Sequence, residues 1–349
     1  MFTKVIKLDS DKPDVASLRP AADTIKSGGL VAFPTETVYG LGGDALNPES
    51  SKKIYAAKGR PSDNPLIVHI SDFAQLESIV QEVPDAARVL ANKFWPGPLT
   101  MILKKNPIVP YETTGGLDTV AIRMPAHPVA LALIKESGCM IAAPSANTSG
   151  RPSPTQAEHV YEDLNEKIEY ILDGGKVNIG LESTIVDLTD GEPTVLRPGY
   201  ITVDEISSVL GSAKLDPGII SADSGIAPKA PGMKYRHYAP KGQITIVSGT
   251  DDNVRNYIRE SADSAVSDGK KVGIITTDAD AKWSDGVIVK LIGNKSDEDA
   301  IAANLFSVLR EFDSLGCEVI FSEDLSTPRI GTAIMNRLLK AAGHNIINV

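Results

Sequence analysis

The sequence predicts an α/β protein in two parts, and three observations lead there. Short apolar runs of strand length alternate with helix-like stretches from the start of the chain to about residue 210. A second strand–helix alternation begins at Gln243. Between them, residues 213–242 hold four prolines and four glycines and little periodic apolar pattern, which reads as an extended linker. The predicted organisation is therefore 1–212, a linker over 213–242, and a smaller unit over 243–349. A length of 349 residues suits two domains at roughly 150 residues each.

In the first part, Leu30–Phe33, Leu66–Ile70, Leu99–Leu103, Val120–Arg123 and Thr184–Leu188 read as strands. Most are mainly apolar rather than alternating, which predicts a sheet covered on much of both faces. Pro48–Ala57 reads as a helix with Asn47 as N-cap and Pro48 at the first position. Further helices are predicted near 84–93 and 127–136. Long loops rich in Pro and Gly argue against a regular doubly wound sheet here. The second part offers strands at 244–247, 271–275, 287–289 and 319–321, with helices over 251–267 and 334–342. Ile301, Leu305, Val308, Leu309 and Phe312 recur at helical spacing and should face a core. This pattern predicts a small parallel α/β domain.

Composition narrows the function. Lys plus Arg number 35 against 45 acids, a net charge of −10, which disfavours a protein that coats nucleic acid. Two distant cysteines, Cys139 and Cys317, form neither a metal pattern nor a disulfide framework, so the expected compartment is the cytoplasm. No apolar run approaches the roughly 18 residues of a membrane span, and the first residues do not read as a secretory signal. No phosphate-binding loop of the G-x-x-x-x-G-K-[ST] type is present. Gly40-Leu41-Gly42-Gly43-Asp44-Ala45 fits G-x-G-x-x-A only on paper, since Pro34–Thr37 separates it from the preceding strand.

Other stretches point to an anion site. Pro34–Gly42 leaves a strand and enters a glycine-rich turn with hydroxyls. Lys58 and Arg60 close a helix, where they could merely complement its dipole. A strand at 140–143 runs into Ser145, Asn147, Ser149, Arg151 and Ser153. Such clusters are commonly turns, but hydroxyls and N–H groups at strand ends also make phosphate sites. Arg123 and Arg197 add cations at two further strand ends, and together these residues favour a polyanion pocket.

Pro34-Thr35-Glu36-Thr37-Val38-Tyr39-Gly40-Leu41, Lys58-x-Arg60, Asn64–His69, Trp95–Thr100, Arg123-Met124-Pro125, Ala143–Asn147, Glu182–Asp187 and Leu196–Gly199 occur together and in order. This set resembles the YrdC family, the L-threonylcarbamoyladenylate synthases. Pro231–Pro240 and the domain that follows resemble the family's long form, so the likeness covers essentially the whole chain. It implies a YrdC-like twisted mixed sheet with helices, followed by a Rossmann-like parallel α/β domain. The implied nucleotidyltransferase reaction joins L-threonine, bicarbonate or CO2 and ATP into threonylcarbamoyl-AMP and pyrophosphate. The product would pass to the machinery that modifies tRNA beside the anticodon, with no stable nucleic-acid complex and no membrane partner.

By the same resemblance, Lys58 and Arg60 are the catalytic cations, and Mg2+, with no protein ligand assigned, bridges phosphate oxygens. Thr35, His69, Arg123 and Ser183 fall on the threonine side. Lys58, Ser62, Thr119, Ser145, Asn147, Ser153, Arg197 and Tyr235 fall on the nucleotide side. A guanidinium suits a carboxylate because it binds both oxygens. His69 read by itself is a hydrogen-bonded histidine at a strand end. Thr119 and Ser153 read by themselves are turn hydroxyls. Alanine at Lys58 should spare the fold, since the last turn of a helix tolerates it. The local +3 charge of 213–242, with aromatic and basic residues alternating over Lys234–Tyr238, reads as a lid over the nucleotide. Two rival functions are an RNA-binding module of the same pathway and a carbamoyl-transfer enzyme of the hydrogenase-maturation type. The second would carry cysteine pairs that this chain lacks.

Overall fold

The computed structural model describes residues 2–219 and 238–349. These divide into two compact units: 2–149 with 153–219, and 150–152 with 238–349.

In the first unit the strands are β1 (Lys4–Lys7), β2 (Val31–Phe33), β3 (Gly40–Asp44), β4 (Ile67–His69), β5 (Leu99–Lys104), β6 (Thr119–Arg123), β7 (Ile141–Ala143), β8 (Tyr170–Asp173), β9 (Thr184–Asp187), β10 (Thr194–Arg197) and β11 (Lys214–Leu215). They form one sheet in the order β1-β8-β2-β3-β7-β4-β6-β5-β9-β10-β11. The sheet is mixed: β4 runs parallel to β6 and β5 parallel to β9, while β5/β6 and β9/β10 are antiparallel. The helices are α1 (Val15–Lys26), α2 (Pro48–Lys58), α3 (Phe73–Ile79), α4 (Asp85–Phe94), α5 (Tyr111–Thr114), α6 (Pro128–Ser137), α7 (Ala157–Leu164) and α8 (Val203–Leu210).

Local chemistry explains α2. The Asn47 side chain accepts the Glu49 N–H at 3.0 Å, Pro48 takes the first helical position, and Gly59 ends the helix in the left-handed region at φ 63°. Packing explains the rest. Two apolar cores form, one around Leu41, Ile54, Leu90, Met101 and Ile122, the other around Leu18, Ile25, Phe33, Leu133 and Ile141. They cover the sheet on both sides, as the continuous apolar strands require.

Two expectations need correction. Gly40–Asp44 is strand β3, not a turn. Its glycines serve close packing, because a Cβ on Gly42 would lie 2.6 Å from Ile141 Cγ2 and 2.7 Å from Phe33. The stretch read as a linker from residue 213 also begins as structure, since Lys214 and Leu215 pair with Thr194 and Val195 in β11. The segment read as a lid, with Tyr235, lies outside the described residues.

The second unit holds β12 (Gln243–Ser248), β13 (Val272–Thr276), β14 (Val287–Leu291), β15 (Val319–Glu323) and β16 (Ile346–Asn348), with helices α9 (Asp251–Ser267), α10 (Glu298–Leu315) and α11 (Gly331–Ala341). Its sheet is parallel throughout, in the order β14-β13-β15-β12-β16. Ile301, Leu305, Val308, Leu309 and Phe312 are all buried along α10, as their spacing predicts.

Candidate active site

Strand register builds the site. His69 pairs with Arg123, Arg123 with Thr100, Thr100 with Ile185, and Ile185 with Arg197. Registered neighbours project to the same face, so these five side chains form one row across β4, β6, β5, β9 and β10. Ile67, Ala121 and Ile102, two residues further along their strands, form a second, apolar row on that face. With Ile185 and Leu196 they make a small separate apolar cluster. Thr119 lies two residues beyond Ala121 and shares the face, about 13 Å from Arg123 by strand geometry.

The polar row is tied to loops at both ends. Arg123 Nη1 donates to Thr37 Oγ1 at 2.9 Å and Nε donates to the Gly97 carbonyl at 3.3 Å. Thr37 Oγ1 lies 2.8 Å from Thr35 Oγ1, and Thr35 Oγ1 donates to the Val38 carbonyl at 2.7 Å. The Thr35 hydroxyl therefore shapes its own loop, and its donor proton is already engaged. At the other end, Thr100 Oγ1 and Ser183 Oγ are 2.7 Å apart. Arg197 donates to the Ser183 carbonyl at 3.0 Å and to Ser183 Oγ at 3.2 Å. Gly199 permits this pairing, since a Cβ there would lie 2.4 Å from Thr184 N.

His69 is buried as a neutral ring. Its Nδ1 lies 3.1 Å from the Ile67 carbonyl, and its ring meets Phe33 edge-on at 6.0 Å. Burial, then the neighbouring Arg123 charge, push its pKa down to about 3. It can offer a hydrogen bond or a surface, and no charge near neutral pH.

A second group gathers at the end of β7. Lys58 is buried, and its Nζ donates to the Ser145 carbonyl at 2.5 Å and to the Asn147 carbonyl. Ser145 Oγ donates to Asn147 Oδ1 at 2.5 Å, and Gly40 bridges to Ser145. The expectation that alanine at Lys58 would spare the fold is corrected by this arrangement. The cation joins the last turn of α2 to the 145–147 loop, so its loss would leave buried carbonyls without their donor. Arg60, half-buried, donates to the Asn64 carbonyl at 3.2 Å and the Pro65 carbonyl at 3.1 Å. Ser153 is buried and donates to Glu182 Oε1 at 2.5 Å, beside Ser183.

The structure thus aligns His69, Arg123 and Arg197 in one row, with Thr35 tied to Arg123 through Thr37 and Ser183 bonded to Arg197, and it gathers Lys58, Ser145 and Asn147 into a separate group. Ser62 stands exposed in the loop after α2, and Thr119 lies at the far end of the face. Three residues that sequence reasoning gave no role also belong here: Glu36, Thr100 and Glu182. Each stands inside or at the end of a motif already singled out, and only the folded chain shows what each one touches. Glu36 Oε1 lies 2.7 Å from Arg123 Nη2, and its other oxygen accepts the Ala126 N–H at 3.1 Å.

Fold and site together define an α/β protein whose mixed sheet carries buried cations and hydroxyls in a row beside an apolar strip, joined to a parallel α/β unit. Residues 23–199 match the family model described as telomere recombination, and residues 201–343 match the threonylcarbamoyl-AMP synthase C-terminal domain. The threonylcarbamoyl-AMP synthase of Pyrococcus abyssi is 51% identical over 335 residues, covering 95% of this chain and 96% of that protein. That of Bacillus subtilis is 47% identical, covering 98% and 96%. A crystal structure of Pyrococcus abyssi Sua5 complexed with L-threonine superposes with a TM-score of 0.94 at 48% identity, covering 99% of this chain and all of that one. The chain belongs to the threonylcarbamoyl-AMP synthase family.

Proposed function

We propose that this chain condenses L-threonine, bicarbonate or CO2, and ATP into threonylcarbamoyl-AMP and pyrophosphate, supplying the threonylcarbamoyl group for tRNA modification. The observation that carries the reading is the graded face of the first unit. A buried guanidinium and hydroxyls stand at one end, an apolar strip follows, and a threonine hydroxyl lies beyond it at about the length of a nucleotide. Arg123 takes the threonine carboxylate, with His69, Ser183 and the Thr35 loop around it. The apolar strip lies under the ribose and adenine, toward Thr119. Lys58, Arg60, Ser145, Asn147, Ser153 and Arg197 face the phosphates, with Ser62 and Tyr235 assigned to the nucleotide by family resemblance.

The neutral threonine amine attacks the carbon of CO2, one C–O π pair moves onto oxygen, and an N–H proton passes to solvent, which leaves the carbamate. The carbamate oxygen then attacks the α-phosphorus, the bond to the β-phosphate oxygen breaks, and pyrophosphate leaves with the electron pair. Carbamate and triphosphate repel, so preorganised cations lower the barrier. Holding the reactants in one orientation lowers it further. Among the described residues no three His, Cys, Asp or Glu side chains stand together to hold a metal. That suits a Mg2+ held mainly by phosphate oxygens and water with one or two carboxylates. Glu182, whose Oε1 accepts the Ser153 hydroxyl, would be a carboxylate to hold it, and the ion would neutralise phosphate charge.

Both cysteines are free thiols, which accords with a cytoplasmic setting. Among the described residues no helix is long and apolar enough to cross a membrane.

The test is incubation with ATP, labelled bicarbonate and L-threonine, with the adenylate identified by mass spectrometry. Pyrophosphate release should require threonine and bicarbonate together. Equal release with serine, or with no amino acid, would overturn the substrate assignment.

A further inference from the structure

The second unit contains a crevice that the proposed reaction does not use. It opens at the carboxyl ends of β13 and β15. These neighbours send the chain in opposite directions, since β13 leads to β14 on one side and β15 leads through α11 to β16 on the other. In parallel α/β sheets such a reversal leaves a gap at the strand ends where ligands bind. Here the gap is real. It offers about 40 Å³ of space to water-sized groups.

We infer that this crevice binds a small α-amino acid as a zwitterion, gripping its ammonium and carboxylate between the acid–base pairs that line the walls. The pairs are two. Lys295 Nζ lies 2.9 Å from Asp251 and 3.5 Å from Glu323, and Arg255 lies 3.1 Å from Asp278. Most of these side chains are half-exposed, so their mutual attraction is weak and easily exchanged for a ligand's charges. Glu323 is the exception at 14% exposed. Its Oε1 accepts the Thr277 N–H and, at 3.1 Å, the Thr277 hydroxyl, which fixes the carboxylate at the strand end.

The floor is apolar, formed by Val254, Ile258 and Ile275. Trp283 adds a wall whose indole N–H is buried and has no acceptor. Because that N–H is shielded from solvent, a ligand in the crevice would meet the face or edge of the indole, whose proton would report the change in its surroundings. The crevice has room for about three water-sized groups, the scale of a charged head group, so an aliphatic side chain would extend toward solvent.

Two other ligand classes fit poorly. Three carboxylates around the opening repel phosphate. Among the described residues the acids do not converge into a metal-holding group.

The experiment follows the Trp283 indole proton by NMR in the full chain, which has two tryptophans, so Trp283→Phe assigns the signal. Glycine, L-alanine, L-valine, L-leucine, L-threonine and L-glutamate are titrated separately. Acetate, methylammonium and inorganic phosphate serve as single-charge controls. At least one amino acid should shift the signal saturably with a Kd below about 1 mM, and the controls should not. Glu323→Gln keeps the acceptor for Thr277, and Lys295→Met keeps the aliphatic stem; each should weaken binding about tenfold or more. Silence with every amino acid at about 10 mM, an equal response to a single-charge control, or full binding by both variants would overturn the site. Adenylate formation, measured separately, does not enter this readout.

Discussion

Glu36 Oε1 stands 2.7 Å from Arg123 Nη2, yet neither atom has an aligned hydrogen-bond partner. The two charges touch off-axis in a place where both side chains are nearly buried, at 12% and 4% exposure. A guanidinium left in that state retains a donor for a better-aligned carboxylate. Glu36 thus balances the Arg123 charge without satisfying its geometry.

Removing that balance should destabilise the protein and make it dependent on substrate. Glu36→Ala is expected to cost about 3 kcal/mol, the scale for breaking a buried ion pair. L-threonine should then raise the melting temperature of the variant more than that of the parent. A thermal-shift titration checks this, and equal gains in both proteins would separate Glu36 from the threonine site.

Arg123→Lys keeps the charge and loses the two-pronged geometry. The KM for threonine should rise about tenfold or more, while the KM for ATP changes little. Steady-state kinetics with each substrate varied in turn make the measurement.

Lys58→Ala should lower turnover by about 10²-fold, the scale of one preorganised electrostatic contact. Because Lys58 Nζ holds the Ser145 and Asn147 carbonyls, it should also lose about 1–3 kcal/mol of stability. Denaturant unfolding run beside the pyrophosphate assay separates the two effects.

The His69 pKa of about 3 lies below the ordinary value of 6.5 for the unfolded chain. Between these values the unfolded state binds the extra proton, so stability is full above pH 6.5 and declines as the pH falls toward 3. His69→Gln should flatten that acid limb in unfolding curves measured from pH 7 to 4. Titration of His69 should leave no inflection in the activity profile near pH 6.5.

Gly199→Ala should disrupt the Arg197–Ser183 contact by placing a methyl group against the Thr184 backbone. A loss of about 2 kcal/mol or more is expected, as for overpacking against atoms that cannot move aside. Melting temperature and soluble yield report it.

The sequence by itself determined the local elements and the division into two α/β parts. Asn47, Pro48 and Gly59 delimit α2 through hydrogen bonds and backbone preferences that act within a few residues. The spacing of Ile301, Leu305, Val308, Leu309 and Phe312 marks the buried face of α10 for the same reason. The ordered motifs also marked most of the residues that meet in the site. The tertiary structure decided what those local rules do not reach. Gly40–Asp44 is a strand because it pairs with β2 on one side and with β7, far along the chain, on the other. His69, Arg123, Thr100 and Arg197 form one row because five strands pair in a particular register, and register depends on the packing of both faces of the sheet. Glu36 meets Arg123 only after that sheet closes, since 86 positions of chain separate Thr37 from Arg123, the guanidinium's other partner on the same loop.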